Sequence, residues 1–530
     1  MGAKVLFLLS AAALCGVVLS KKRAPPLPWR ARREVTTTQG VVRGYLGSRH
    51  FAYLGIPYAS RPTKSDRFKA PEPPPRWDGV FEATYRVKCP QPSTKGDENC
   101  LVVNVFTAQN PAKESSVMVL FHDGGFHNGW GELEPPIRFI DEFIIVTVNY
   151  RLGALGFLCL GIPEAPGNAG LKDQIAALYW VQQNIASFGG NPGDVTVYGM
   201  GAGAISVQLL LLSGLATGLM NKAILDSGSI LSPLSMSYNP FSTAFNIAMI
   251  LGYEDTDNTD DLFEFYRKLT VHDLVNISTN FLPCVENSHL YAHSMIDQDP
   301  MEILVRGDFT KIPLMIVYTK SQETVLIDQN YDKFLMIPEL FEDLLPSNLQ
   351  FDTEINKFKI AELVKDFYFD EHGVPEKEKV IKSYKEYIND IFMEYPMYKF
   401  SLLYAAKTTV PVYVMKFAPD EGFGDKSGGS YGEVMRYISA KDLVDDQVTV
   451  ANRLVSLFTN FMKIGDPTPI TTELVPGDMG ADEPPWTRRG ADRPAVSTVP
   501  SHSDHGSSSY EPTNQLLGLY LCSLSQETFL

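Results

Sequence analysis

The run Val195-Thr196-Val197-Tyr198-Gly199-Met200-Gly201-Ala202-Gly203 sets three glycines at alternate positions between a β-branched, aromatic stretch and the apolar segment Ile205–Leu212. Strand, sharp turn, helix is the layout Gly-x-Ser-x-Gly, in which a serine held at the turn attacks a carbonyl carbon. Here Gly201 stands in the serine position. A glycine carries no group that can attack, yet it adopts the strained backbone of such a turn without steric cost. The expectation is therefore a preserved turn that has lost its reagent.

Such a turn needs a sheet to hold it. Val117–Phe121 and Phe143–Val148 are apolar on both faces, as in parallel strands covered on both sides. Leu171–Ala186 follows a helical period, and Ala223–Leu225, Leu314–Tyr318 and Val410–Met415 read as later strands. Residues 353–405 read as helices. The alternation predicts one large doubly wound α/β domain, and the chain of 530 residues, 44% of them hydrophobic, is long enough to bury its core.

Several further blocks carry a family resemblance. They are Asn149-Tyr150-Arg151-Leu152-Gly153, Pro166-Gly167-Asn168-Ala169-Gly170-Leu171-Lys172-Asp173-Gln174, Phe188-Gly189-Gly190-Asn191-Pro192 and Asp226-Ser227-Gly228-Ser229. With Gly55-Ile56-Pro57-Tyr58-Ala59, Glu98-Asn99-Cys100-Leu101 and Asn460-Phe461-Met462, they resemble the type-B carboxylesterase and cholinesterase family over roughly residues 34 to 490, with an insect-type flavour. The resemblance implies an α/β-hydrolase fold: a large, mostly parallel central sheet with helices on both faces. It places that domain at 34–495, followed by a C-terminal tail at 496–530 that is partly disordered.

It also fixes the slots of the catalytic triad, and each holds a residue of the wrong kind. The nucleophile slot is Gly201. The acid slot falls on Gln322, with Glu323 available as an acid one residue on. The base slot is Tyr431, in Gly428-Gly429-Ser430-Tyr431-Gly432, and a phenol with an ordinary pKa near 10 is a poor base at neutral pH. His502, Asp504 and His505 sit in the low-complexity tail and read as solvated. What remains is the oxyanion apparatus, the backbone N–H groups of Gly124, Gly125 and Ala202, in a loop whose first glycine has become Asp123. His122 in that loop reads as structural.

Loss of the serine or histidine of a triad costs on the order of 10⁶ in turnover. That is about 8 kcal/mol of transition-state stabilisation, more than a pocket and an oxyanion hole recover. The expectation is a catalytically inactive family member that acts by binding a protein partner or a small apolar ligand, with no cofactor and no metal. The alternatives are a carboxylic ester hydrolase with residual or altered activity, and a small-molecule carrier.

Residues 1–20 read as a secretory signal peptide, Lys4 followed by the apolar Val5–Leu19 and a small Ser20. Residues 21–33 form a basic segment ending in Arg30-Ala31-Arg32-Arg33, which reads equally as a cleaved pro-segment or a solvated arm. A chain starting at Glu34 would carry 39 basic and 62 acidic residues, a net charge of −23. That balance argues against nucleic acid or an anionic membrane as partner. No later segment supplies 18 uninterrupted apolar residues, so a transmembrane anchor is not expected. The protein is expected to be secreted, with Asn276 in Asn-Ile-Ser as its glycosylation site.

Export permits disulfides. The resemblance pairs Cys89 with Cys100, a short loop stabilising by roughly 3 kcal/mol. The family's second bridge is not apparent, because Tyr253 follows Leu251-Gly252 where a cysteine often stands. Of Cys159, Cys284 and Cys522, one is left over within a single chain. Cys159 reads as a small buried hydrophobe and Cys522 as the exposed thiol.

Overall fold

The computed structural model describes residues 31–319, 354–369, 377–417, 432–469 and 495–499 with residue 345, apart from short breaks at 48, 93, 95, 132–134, 234, 255–257, 278–280, 289–293 and 441. The signal peptide, most of the tail and Cys522 lie outside the described residues.

Fourteen strands are described. The first seven are β1 (Arg32–Thr36), β2 (Val41–Leu46), β3 (His50–Pro57), β4 (Val80–Glu82), β5 (Val102–Ala108), β6 (Ser115–Phe121) and β7 (Phe143–Val148). The rest are β8 (Cys159–Ile162), β9 (Ala165–Pro166), β10 (Gly190–Met200), β11 (Lys222–Asp226), β12 (Leu314–Thr319), β13 (Val412–Phe417) and β14 (Ala495–Val499). Twelve of them form one sheet in the order β1-β2-β3-β5-β7-β6-β10-β11-β12-β13-β14, with β4 paired to β2. From β7 to β14 every pairing in that order is parallel, while the pairs β1–β2, β2–β3, β3–β5 and β5–β7 are antiparallel and β4 lies parallel to β2. The expected mostly parallel sheet is therefore present. The antiparallel half at the N-terminal side was not anticipated.

Strict alternation along the central strands makes two apolar layers. Val117, Val119 and Phe121 of β6 join one cluster and Met118 and Leu120 the other; in β12, Leu314 and Ile316 oppose Met315 and Val317. Helices α1 (Gly153–Phe157), α2 (Ala169–Asn184) and α3 (Ala202–Ser213) cover the first face, through Phe157, Leu178, Val181, Leu209 and Leu211. The helices Glu433–Ser439 and Asp445–Ile464 cover the second, through Val434, Leu454 and Phe458. Because both faces are buried, every residue of β5, β7, β11 and β12 is buried, which is why these strands lack polar alternation.

The blocks that carry the resemblance become joints between these layers. Arg151 forks onto Asp173 of α2 at 2.6 and 2.8 Å, and its backbone N–H reaches the same carboxylate at 3.0 Å, both residues being buried. Asn168, buried with a left-handed φ of 54°, accepts from Cys284 N–H at 3.0 Å and donates to Cys284 O at 2.8 Å.

Three expectations are adjusted. Cys159 is not a free buried thiol: it is bonded to Cys284, alongside the anticipated Cys89–Cys100 bridge. The partners are 125 residues apart; the Cys159–Ile162/Ala165–Pro166 hairpin sets Cys159 beside Pro166, where Asn168 holds Cys284, with Gly167 against both sulfurs. Arg32 and Arg33 belong to β1, so the ordered sheet begins inside the basic segment 21–33. At the other end β14 pairs with β13 up to Val499, past the boundary drawn at 495. Among the described residues, no helix is long and apolar enough to cross a membrane.

Candidate functional site at the elbow

β10 ends at Met200, Gly201 turns with φ 52° and ψ −114°, and α3 starts at Ala202. That backbone is one an L-residue reaches only under strain. The turn is pinned from beneath: Gly201 N–H donates to Asp226 O at 2.8 Å, and Gly201 O accepts from Ile205 N–H at 3.0 Å. Its flanking glycines are a packing requirement. A β-carbon on Gly199 would lie 2.3 Å from Gly203 O, and one on Gly203 would lie 2.2 Å from Phe121 O. The elbow is thus preserved, with Gly201 at its apex.

Among the described residues, no neighbouring hydroxyl takes the serine's place. Ser206, Ser227 and Ser229 are buried, and their hydroxyls donate to Ala202 O, Asp226 Oδ1 and Pro396 O at 2.8, 2.8 and 3.1 Å. Gln322, Glu323 and Tyr431 lie outside the described residues. The flanking Gly432 is described: a β-carbon there would stand 3.7 Å from Met200 Sδ, at the end of β10.

The oxyanion loop follows β6. Gly124 and Gly125 have φ of 126° and 58°, and Gly124 O accepts from His127 and Asn128 N–H at 3.0 Å each, closing a tight turn. His122 is buried, stacked on Tyr150 with ring centroids 4.3 Å apart, and its Nδ1 pairs with Asp123 O at 2.8 Å. Burial holds its imidazole down, to about 4, so it stays neutral at physiological pH. The structural role expected of His122 fits this setting.

Asp123 turns inward. Its Oδ1 accepts from Ala202 N–H at 2.7 Å and from Gly125 N–H at 3.4 Å. Those are two of the three amides expected to receive a substrate's oxyanion. Below the turn lies a second carboxylate that the sequence analysis did not single out. Asp226 is fully buried at the end of β11 and takes hydrogen bonds from Tyr198 OH and Ser227 Oγ. Burial pushes its carboxyl up to about 6, against those two donors, and nearby Asp123 adds to the rise. The Asp226-Ser227-Gly228-Ser229 block was the available signal; its packing on the elbow was not readable from it.

Away from the elbow, a broad groove of about 730 Å³ is lined by Thr217, Asn221, Phe309 and Lys311. It lies where β11 and β12 begin, at the opposite end of the sheet from the turn. Asn276 is exposed at the end of the short helix Val271–Asn276. No cluster of metal-ligating side chains occurs among the described residues.

The profile of the carboxylesterase family matches residues 31–508. The chain is similar to esterase FE4 of Myzus persicae, 31% identical over 480 residues covering 81% of this chain and 83% of that one. It is similar to juvenile hormone esterase of Heliothis virescens, 29% identical over 487 residues, covering 81% and 84%. Para-nitrobenzyl esterase of Bacillus subtilis is 36% identical over 356 residues, covering 60% and 71%.

Proposed function

This chain belongs to the carboxylesterase family, and on that premise we propose that it is a secreted, esterase-like pseudoenzyme that binds a protein partner or a small apolar ligand. The observation that carries the reading is Gly201 at the apex of an otherwise preserved elbow. Hydrolysis through an acyl-enzyme begins with a bond from a side-chain oxygen to the carbonyl carbon. Gly201 offers none, and the three nearby serines are buried and bonded elsewhere. The substitutions expected at Gln322 and Tyr431 point the same way: an amide supplies no negative charge to an imidazolium, and a phenol is a poor base.

A second reading is a carboxylic ester hydrolase with residual or altered activity. The relatives favour it, since esterase FE4, juvenile hormone esterase and para-nitrobenzyl esterase all carry that activity in their names. It fits these relatives better than the first reading does. Glu323 would be its available acid, and its nucleophile would have to come from outside the elbow.

Turnover separates the two. The purified chain is expected to hydrolyse p-nitrophenyl acetate and butyrate no faster than buffer and to resist labelling by a fluorophosphonate. Saturable hydrolysis, or a labelled serine found by peptide mapping, would replace the first reading with the second. Within the first, organic extraction followed by native mass spectrometry should release a defined apolar molecule if the protein is a carrier and none if it binds protein.

A further inference from the structure

We propose that Asp123 is the built-in occupant of the former oxyanion hole, holding the Ala202 and Gly125 amides against any incoming oxygen and capping α3 in place of the side chain that Gly201 lacks. Ala202 is the first residue of α3, and Gly201, its N-cap, gives no side-chain cap. The first amides of a helix have no partner within it and sit at its positive end. Asp123 Oδ1 meets the Ala202 amide at 2.7 Å from a loop 79 residues away in sequence, the length of a charge-assisted bond. Gly125 N–H joins the same oxygen at 3.4 Å.

The contact has a chemical consequence. A carbonyl oxygen polarised in this hole must take these amides from a carboxylate that already carries the charge they are aimed at. A tetrahedral oxyanion would in addition form beside a like charge. The site therefore favours ligands held by apolar contact and disfavours esters, carboxylates and phosphonates that reach for the hole. The block lies in a different residue from the missing nucleophile, so restoring serine at 201 alone leaves the hole closed.

This inference concerns the site of the proposed function and rests on the reading that it no longer hydrolyses esters. It is tested without any ester. In the full chain, Asp123→Ala should lower the melting temperature by about 1–2 °C, the loss of a helix cap in a protein of this length. Sodium formate replacing chloride at constant ionic strength should restore part of that loss by entering the vacated hole, and should leave the unaltered chain unmoved. Asp123→Asn, which keeps an acceptor oxygen without charge, should melt between the two. Equal formate responses in both chains, or an Asn variant melting at or above the parent, would overturn the proposal. Should the alanine variant fail to fold, the Asn variant decides. Formate insensitivity defeats this inference and leaves Gly201 as it is; ester turnover by the parent chain defeats the proposed function instead.

Discussion

Asp123 Oδ1 and Ala202 N–H stand 2.7 Å apart, joining the loop after β6 to the first turn of α3. The same two segments meet again where Gly203 presses on Phe121 O, so the elbow and the oxyanion loop form one packed unit. Its members tolerate change very unequally.

Gly201 and Gly203 make the contrast. Gly201→Ser places a side chain on a residue with φ 52°, a strain costing about 1–2 kcal/mol. Gly203→Ala sets a β-carbon 2.2 Å from Phe121 O, a backbone clash that the sheet cannot relieve by moving a side chain. Urea unfolding should show a modest loss for the first and a larger one, or no soluble protein, for the second. Equal losses would contradict the packing described here.

The two disulfides should differ in worth. Loop closure over 125 residues constrains the unfolded chain more than closure over 11. The chain-entropy estimate is roughly 5 kcal/mol for Cys159–Cys284 and roughly 3 kcal/mol for Cys89–Cys100. Replacing each pair by alanine and comparing unfolding midpoints tests the order, and a costlier loss at the short loop would refute it.

Asp226 makes a pH prediction. Its folded pKa of about 6 lies above the unfolded value of 3.8, so the folded state holds this proton more tightly. The contribution of Asp226 to stability is full at low pH and fades as pH rises from about 4 through about 6. Against Asp226→Asn, which does not titrate, the unaltered chain should gain about 2–3 kcal/mol in relative stability between pH 7 and pH 4. His122 acts oppositely, since its neutral buried ring, with a pKa near 4, must charge on acidification. The comparison with the Asn variant removes that background, and a flat difference across the range would disprove the assignment.

Much of the parallel half of the sheet was legible, because β6, β7, β11 and β12 each hold a mostly apolar run. Gly199, Gly201 and Gly203 announced the elbow for the same reason that they are needed: strand and helix touch there without room for side chains. The antiparallel strands escaped notice since β3 is buried on both sides and broken by a bulge at Gly55, leaving no alternation to read. The Cys159–Cys284 pairing depends on a hairpin that no local spacing encodes. For Asp123, the sequence shows a carboxylate in place of the loop's first glycine, while the direction of the side chain, which makes it a ligand of the amides, is a tertiary property. Gln322, Glu323 and Tyr431 remain proposals resting on the resemblance.

The placement of Arg33 has a temporal consequence. A processing protease needs its target bond extended and accessible, but Arg33 pairs with Gly44 across β1 and β2, and its guanidinium lies 3.9 Å over the Phe51 ring. Once that strand docks, the dibasic bond is woven into the sheet. Trimming after Arg33 would have to precede folding, on the nascent chain, or wait for the edge of the sheet to fray.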